Sequence, residues 1–244
     1  MFKYLNNKYF LIPFSLFLFL SGYIFINNYS FSRATPYFYD QITNDPDISV
    51  TESNDTYILK PKARNSIANL IFLTGGLVDE KAYLYNLGQL SKYHSITVFV
   101  PKIKLKLAFL DQEAIMRTVK NFNVKEYYVS GHSLGGVVAC YHIRDHKDTK
   151  GLILMASYCD NSIKEFKGQV LQITGSNDKV INKTKLNEKK LELPEQTQYY
   201  EILDGIHSQF GNYGPQKGDG TSNLLDAEAL SEIITASKKI VWDK

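Results

Sequence analysis

Ser133, Asp178 and His207 are the residues whose types and settings suit nucleophilic chemistry. Ser133 stands in Gly131-His132-Ser133-Leu134-Gly135, after the β-like run from Tyr127 and before the apolar Val137, Val138 and Ala139. A chain that turns sharply from strand to helix pushes the serine hydroxyl to the tip of the turn, and the flanking glycines let backbone segments approach. The five-residue pattern alone is weak, so its strand-before, helix-after setting carries the weight. A serine hydroxyl needs a base to attack an acyl carbon, and the base needs a carboxylate to orient it. Asp178 follows the run Val170 to Ile173 in the loop Gly175-Ser176-Asn177-Asp178, and His207 follows Tyr199 to Leu203 between glycines. Asp204 and Asp160 are alternative acids. His94, His132, His142 and His146 are alternative bases; His142 and His146 should face away along a helix, and His132 should point elsewhere than its neighbour Ser133. The charge developing on an attacked carbonyl needs two backbone N–H donors. Leu134 is one, and Gly76 and Leu77, in the turn Thr74-Gly75-Gly76-Leu77, are equal candidates for the other.

These residues need strands that end at a common edge. The runs Ile48 to Val50 and Tyr57 to Leu59, joined by Ser53-Asn54-Asp55, read as an antiparallel hairpin. Further β-like runs follow at Leu70 to Leu73, Ile96 to Val100, Tyr127 to Val129, Leu152 to Met155, Val170 to Ile173 and Tyr199 to Leu203. Helical patterns lie at Glu80 to Lys92, Leu107 to Asn121, Leu134 to Lys147 and Leu224 to Val241. Strand, crossover helix and strand in repetition predict a mainly parallel sheet with helices on both faces. The three chemical residues all fall where such strands end, which is where sites in open α/β sheets gather. The short interval between Ala156 and Gln169 leaves no room for a large lid, so the segment Gly205 to Gly220 should roof the pocket.

The 244 residues suit one such domain with a short appendage, and 44% hydrophobic content is too much for a disordered chain. The net charge of +3, from 28 basic and 25 acidic residues largely interspersed, argues against nucleic acid as a partner. Lys102, Lys104 and Lys106 alternate with Ile103 and Leu105, as in an extended segment with one wet side. Cys140 and Cys159 have no metal-ligand spacing and make no disulfide framework. They read as two buried free thiols, since a bridge between a helix and the far end of a strand beside it looks strained. No metal and no cofactor is expected.

From Phe10 to Ile26 the chain carries no charge. As a helix this stretch is about 25 Å long, enough to span a bilayer once with tyrosines at the interfaces. Lys3 and Lys8 precede it and Arg33 is the next basic residue, which orients the N-terminus towards the cytoplasm. An uncleaved anchor at the cell membrane is expected, with the catalytic part outside the cytoplasm; secretion after cleavage is the alternative. The expected division is residues 1–26 as cytoplasmic stub and transmembrane helix, 27–46 as a polar tether without helical periodicity, and 47–244 as the α/β domain.

The strings FLTGGLVDEKAY, GHSLGG and above all GIHSQFGNYGPQKGDG resemble α/β-hydrolase family 5, over about residues 57 to 242. The resemblance implies the α/β-hydrolase fold and the triad Ser133, Asp178 and His207 already reached by position. It also suggests that Gln209, Tyr213, Gln216 and Asp219 shape the site. Ile206 departs from the asparagine common before the family's histidine, which proton transfer does not need. The expected activity is hydrolysis of an ester, thioester or lactone through an acyl-enzyme, on a small-molecule or envelope-associated substrate. Acyl transfer with the same triad, or a catalytically idle anchored binding module, are the alternatives.

Overall fold

The computed structural model describes residues 31–243. The expected transmembrane helix lies outside these residues; among them, no helix is long and apolar enough to cross a membrane.

Eight strands form one sheet: β1 (Ile48–Ser53), β2 (Thr56–Pro61), β3 (Ala68–Leu73), β4 (Ile96–Pro101), β5 (Tyr128–His132), β6 (Gly151–Met155), β7 (Gln169–Gly175) and β8 (Gln198–Ile202). Their order is β1-β2-β4-β3-β5-β6-β7-β8. The hairpin β1–β2 turns through Asn54 and Asp55, both at positive φ, a conformation these side chains tolerate. β2 joins β4 antiparallel, and every later pairing is parallel. All expected strands are present, within two residues at each end except β1, which runs on to Ser53, and β5, which runs on to His132.

The sheet is covered on both faces, so its central strands read as continuous apolar runs rather than alternating ones. α1 (Pro36–Thr43), α2 (Leu84–His94) and α6 (Asp226–Ser237) contribute Ile42, Leu87 and Ile233 to one core, with Phe72, Tyr83 and Tyr128. α3 (Ala114–Phe122) and α4 (Leu134–Asp145) contribute Ile115 and Val138 to the other, with Ile71, Val129 and Leu154. The short α5 (Lys183–Lys189) follows β7.

Four expectations are corrected. The segment 27–46 does not stay a tether to its end: Ser32 pairs with Val78 in a parallel bridge, and α1 starts with Pro36 and buries Ile42 completely. One buried side chain per two turns leaves little periodicity to read. The expected helix from Leu107 begins only at Ala114, because two 3₁₀ turns, Lys104–Lys106 and Ala108–Leu110, intervene. The lysine segment is therefore not extended; Lys106 bends back to pair with the buried carboxylate of Glu80, which also accepts the Ile103 N–H at 2.8 Å. Lastly, Cys140 and Cys159 are not free thiols but a disulfide, with Cα atoms 5.4 Å apart. After β6 the chain doubles back along α4, where Asn161 donates to the Cys140 carbonyl at 3.2 Å, and the two cysteines meet at mid-helix. Closing a loop of 19 residues in sequence stabilises the fold by about 3 kcal/mol in the chain-entropy account.

Candidate active site

Parallel β3 to β8 end at one edge, and the turns leaving them converge there. Ser133 sits between β5 and α4 at φ 50°, ψ −121°, a strained conformation for a residue with a Cβ. The turn is tight enough that a Cβ on Gly131 would stand 2.4 Å from the Gly135 carbonyl carbon, and one on Gly135 would stand 2.3 Å from the Leu73 oxygen. The Ser133 N–H donates to the Met155 carbonyl at 2.9 Å, and the Ser157 hydroxyl donates to the Ser133 carbonyl at 2.6 Å. These bonds hold a strained elbow in place.

Asp178 and His207 meet across the next two loops. Asp178 is fully buried and His207 is 2% exposed. The His207 Nδ1 lies 2.7 Å from the Asp178 Oδ2. The other oxygen, Oδ1, accepts the N–H groups of Val180 and Ile181 at 2.8 and 2.9 Å, which fixes the carboxylate in a local turn. With Nδ1–H donated to that carboxylate, a neutral imidazole keeps its lone pair on Nε2. His207 and Ser133 line one cavity of about 280 Å³, with Leu134, Ser157, Tyr158 and Ile181 among its walls.

The competing acids are engaged elsewhere. Asp160 pairs with Lys185 at 3.0 Å, and Asp204 accepts from Asn177 and from the Asn223 N–H. Three of the competing histidines are remote: His94 bonds Ser237 at 2.7 Å, and His142 meets the Tyr127 hydroxyl at 3.1 Å and stacks on His146.

His132 is the exception, and the expectation that it points elsewhere is corrected. It is 1% exposed, its ring lies 4.5 Å from that of His207, and it stacks on Phe210 at 5.6 Å. Alternation along β5 turns Ser133's neighbour towards the core that holds Phe72 and Tyr83, and the His207 loop crosses the same place. Its Nδ1 is 2.9 Å from the Tyr83 hydroxyl, which in turn accepts the Gly75 N–H at 3.1 Å. Burial, reinforced by the charge His207 can carry, holds the His132 pKa well below the usual histidine value. Burial likewise raises the Tyr83 phenol well above its usual range. Both stay neutral, so Tyr83 donates to His132 and the chain Gly75, Tyr83, His132 is ordered in one direction. Sequence alone did not reveal Tyr83; its only signal is an aromatic residue near the start of the helix that follows the glycine turn.

The turn after β3 lies against Leu134, since a Cβ on Gly76 would stand 3.1 Å from the Leu134 Cδ2. The two candidates there are no longer equal. The Leu77 N–H donates to the Lys106 carbonyl at 2.7 Å, while among the described residues the Gly76 N–H carries no hydrogen bond. Leu134 opens α4, so its N–H has no partner within the helix.

The residues suggested by resemblance build the loop that carries His207. Asp219 accepts the His207, Ser208 and Gly220 N–H groups at 3.1, 2.8 and 2.8 Å. Burial opposes its ionisation, but these donors outweigh burial and lower its pKa. Gln209 accepts the Ile206 N–H at 3.1 Å and donates to the Leu224 carbonyl at 2.8 Å, and Tyr213 donates to Gln216 at 3.2 Å. Among the described residues, no group of three His, Cys, Asp or Glu could hold a metal ion.

Residues 69–231 match the profile of the alpha/beta hydrolase family. No curated protein sequence matches the chain. Among solved structures, a predicted CIB-like hydrolase from Thermoplasma acidophilum is similar, with TM-score 0.59 and 14% identity over 79% of this chain and 100% of that one. An alpha/beta hydrolase from a sediment metagenome of the Mar Chica lagoon follows at 0.53 and 14%, over 66% and 90%. The carboxylesterase CesB of Bacillus subtilis has TM-score 0.52 and 12% identity, over 71% and 90%.

Proposed function

We propose that this member of the alpha/beta hydrolase family is a hydrolase that cleaves carboxylic esters with Ser133 as nucleophile. The observation that carries the reading is the buried 2.7 Å pair of His207 and Asp178 beside a serine strained to φ 50° in the same cavity. In this reading His207 Nε2 takes the hydroxyl proton as Ser133 Oγ bonds to the acyl carbon. Asp178 stabilises the resulting imidazolium, and the N–H groups of Gly76 and Leu134 receive the charge on the carbonyl oxygen. The leaving alcohol departs with the proton from His207. Water then repeats the sequence on the acyl-enzyme and releases the acid, leaving Ser133 and His207 as they began. Leu77 drops out of the oxyanion assignment because its N–H is already spent on Lys106.

The chain is further read as anchored by the apolar stretch Phe10 to Ile26, with the hydrolase outside the cytoplasm. The disulfide supports that side of the membrane, since such bonds persist in oxidising compartments. Ser133→Ala should abolish both turnover of a short-chain aryl ester and labelling by a fluorophosphonate probe. Labelling at wild-type rate would remove Ser133 from the role.

A further inference from the structure

The reaction proposed for this site needs parts from three separate segments: the nucleophile after β5, the base on the loop after β8 and the oxyanion turn after β3. One buried polar pair that the mechanism does not use, Tyr83 and His132, touches all three. His132 is joined to Ser133 by a peptide bond. Its ring lies 4.5 Å from the His207 ring and 5.6 Å from that of Phe210, on the same loop. The glycine turn rests on the pair as well: a Cβ on Gly75 would stand 2.8 Å from the His132 Nδ1 and 2.8 Å from the Tyr83 hydroxyl. The His207 loop also closes on Tyr83 further along. A Cβ on Gly211 would stand 3.0 Å from the Tyr83 ring, and the Asn212 N–H donates to the Ala82 carbonyl at 2.6 Å.

Packing alone does not call for these polar atoms, since phenylalanine at either position would fill similar space without burying them. The His132 Nε2 closes no hydrogen bond among the described residues, and the neighbour that favours a proton on the ring is the His207 backbone. An unmet buried donor is a cost that stability by itself would remove. What the polarity supplies is a fixed order of partners. The Tyr83 hydroxyl accepts the Gly75 N–H at 3.1 Å and so gives its own proton to the His132 Nδ1 at 2.9 Å, which leaves the histidine's proton on Nε2. The glycine turn cannot shift against His132 without breaking a bond that water, excluded from both side chains, does not replace.

We propose that His132, with Tyr83, is a positioning residue for the hydrolysis: the pair sets the Gly76 N–H and the His207 imidazole at a fixed offset from Ser133. The proposal rests on the serine hydrolase reading. His132 does not line the cavity, so it touches no substrate and passes no proton; it acts through the three groups it spaces. Those groups must agree to within about 0.5 Å to meet a transition state, so loss of the pair lowers kcat while KM stays near its wild-type value.

The test uses variants of the full chain, each assayed on a soluble aryl ester below its thermal midpoint. His132→Leu removes the Nδ1 acceptor, and His132→Asn puts an oxygen near where Nδ1 stood. In His132→Leu, kcat should fall about tenfold with KM within about twofold, and His132→Asn should recover most of the loss. Tyr83→Phe breaks the same contact, so Tyr83→Phe/His132→Leu should lie within about twofold of the slower single variant, against the roughly hundredfold loss that independent effects would give. Wild-type kcat in His132→Leu, no recovery in His132→Asn, or multiplied losses in the double variant overturns the proposal. If His132→Leu does not fold, the milder Tyr83→Phe carries the same kcat test. A wild-type chain inert towards aryl esters and fluorophosphonate defeats the hydrolase reading, and the pair is then judged without turnover. The proton between His207 and Asp178 gives a far-downfield NMR resonance, and its exchange with water should be at least about tenfold faster in Tyr83→Phe and His132→Leu than in wild type. Equal exchange overturns the positioning role whether or not the chain hydrolyses esters.

Discussion

Tyr83→Phe removes one oxygen atom from a ring packed against Phe72 at 5.0 Å and leaves two groups stranded. The Gly75 N–H loses its acceptor at 3.1 Å, and the His132 Nδ1 loses its donor at 2.9 Å. Tyr83 is fully buried and His132 1% exposed, so water does not replace the hydroxyl. Leaving a buried polar group unpaired costs about 1–3 kcal/mol, so the pair should cost about 3 kcal/mol after some relaxation. For a fold of this size each kcal/mol moves the thermal midpoint by about 2–4 °C, which gives a fall of about 6–12 °C, read by circular dichroism. Tyr85→Phe, at a half-buried ring against Phe38, should move the midpoint by under about 2 °C. In the proposed mechanism a kinetic consequence follows from the covalent neighbour: Gly76, the proposed oxyanion donor, is one peptide bond from Gly75, and such a donor is worth about 3 kcal/mol. Partial misplacement of it should lower kcat on an aryl ester about tenfold with KM within about twofold, because the donor acts mainly on the transition state. A variant with unchanged midpoint and unchanged kcat would refute the idea that Tyr83 ties the glycine turn to the histidines.

Asp219→Asn replaces a carboxylate that takes three N–H donors in the His207 loop; kcat should fall about tenfold, and Asp219→Glu should recover part of it, as measured by steady-state kinetics. The folded-state pKa of Asp219 is depressed, so its contribution is present above the unfolded carboxylate value of about 3.9 and is lost as pH falls below it. His94 and His142 carry the opposite charge logic: burial lowers both to about 4 in the fold, against about 6.5 unfolded. Unfolding therefore takes up protons below pH 6.5, and the thermal midpoint should decline between about pH 6.5 and 4; a His142→Gln variant should show a shallower decline. A chain begun at residue 47 loses the Ser32 bridge, the Thr35 bond to Asn212 and the fully buried Ile42. It should unfold at least about 5 °C below a chain begun at residue 32, since burying one such side chain is worth about 2–5 kcal/mol.

The central strands were legible in the sequence because they bury apolar residues on a sheet covered from both sides, and a run such as Leu70 to Leu73 has no helical reading of that length. That Ser133, Asp178 and His207 come together was legible for a different reason. They sit where those runs stop, and parallel topology then brings the stops together without any knowledge of contacts. What stayed hidden depends on direction rather than type. His132 shares a sequence string with Ser133, but only the sheet's alternation, combined with the path of a loop some seventy positions later, turns it onto His207. The equal claims of Gly76 and Leu77 could be separated only by finding which N–H another segment had already taken, and the Lys106 carbonyl that takes one comes from a turn misread as extended. The disulfide failed for the same reason: its spacing was judged along a strand and a helix, whereas the chain leaves β6 and returns along α4. The same effect governs the N-terminus. Residues 32–35 look like linker because their side chains bury little, yet their backbone groups bond the glycine turn and the His207 loop.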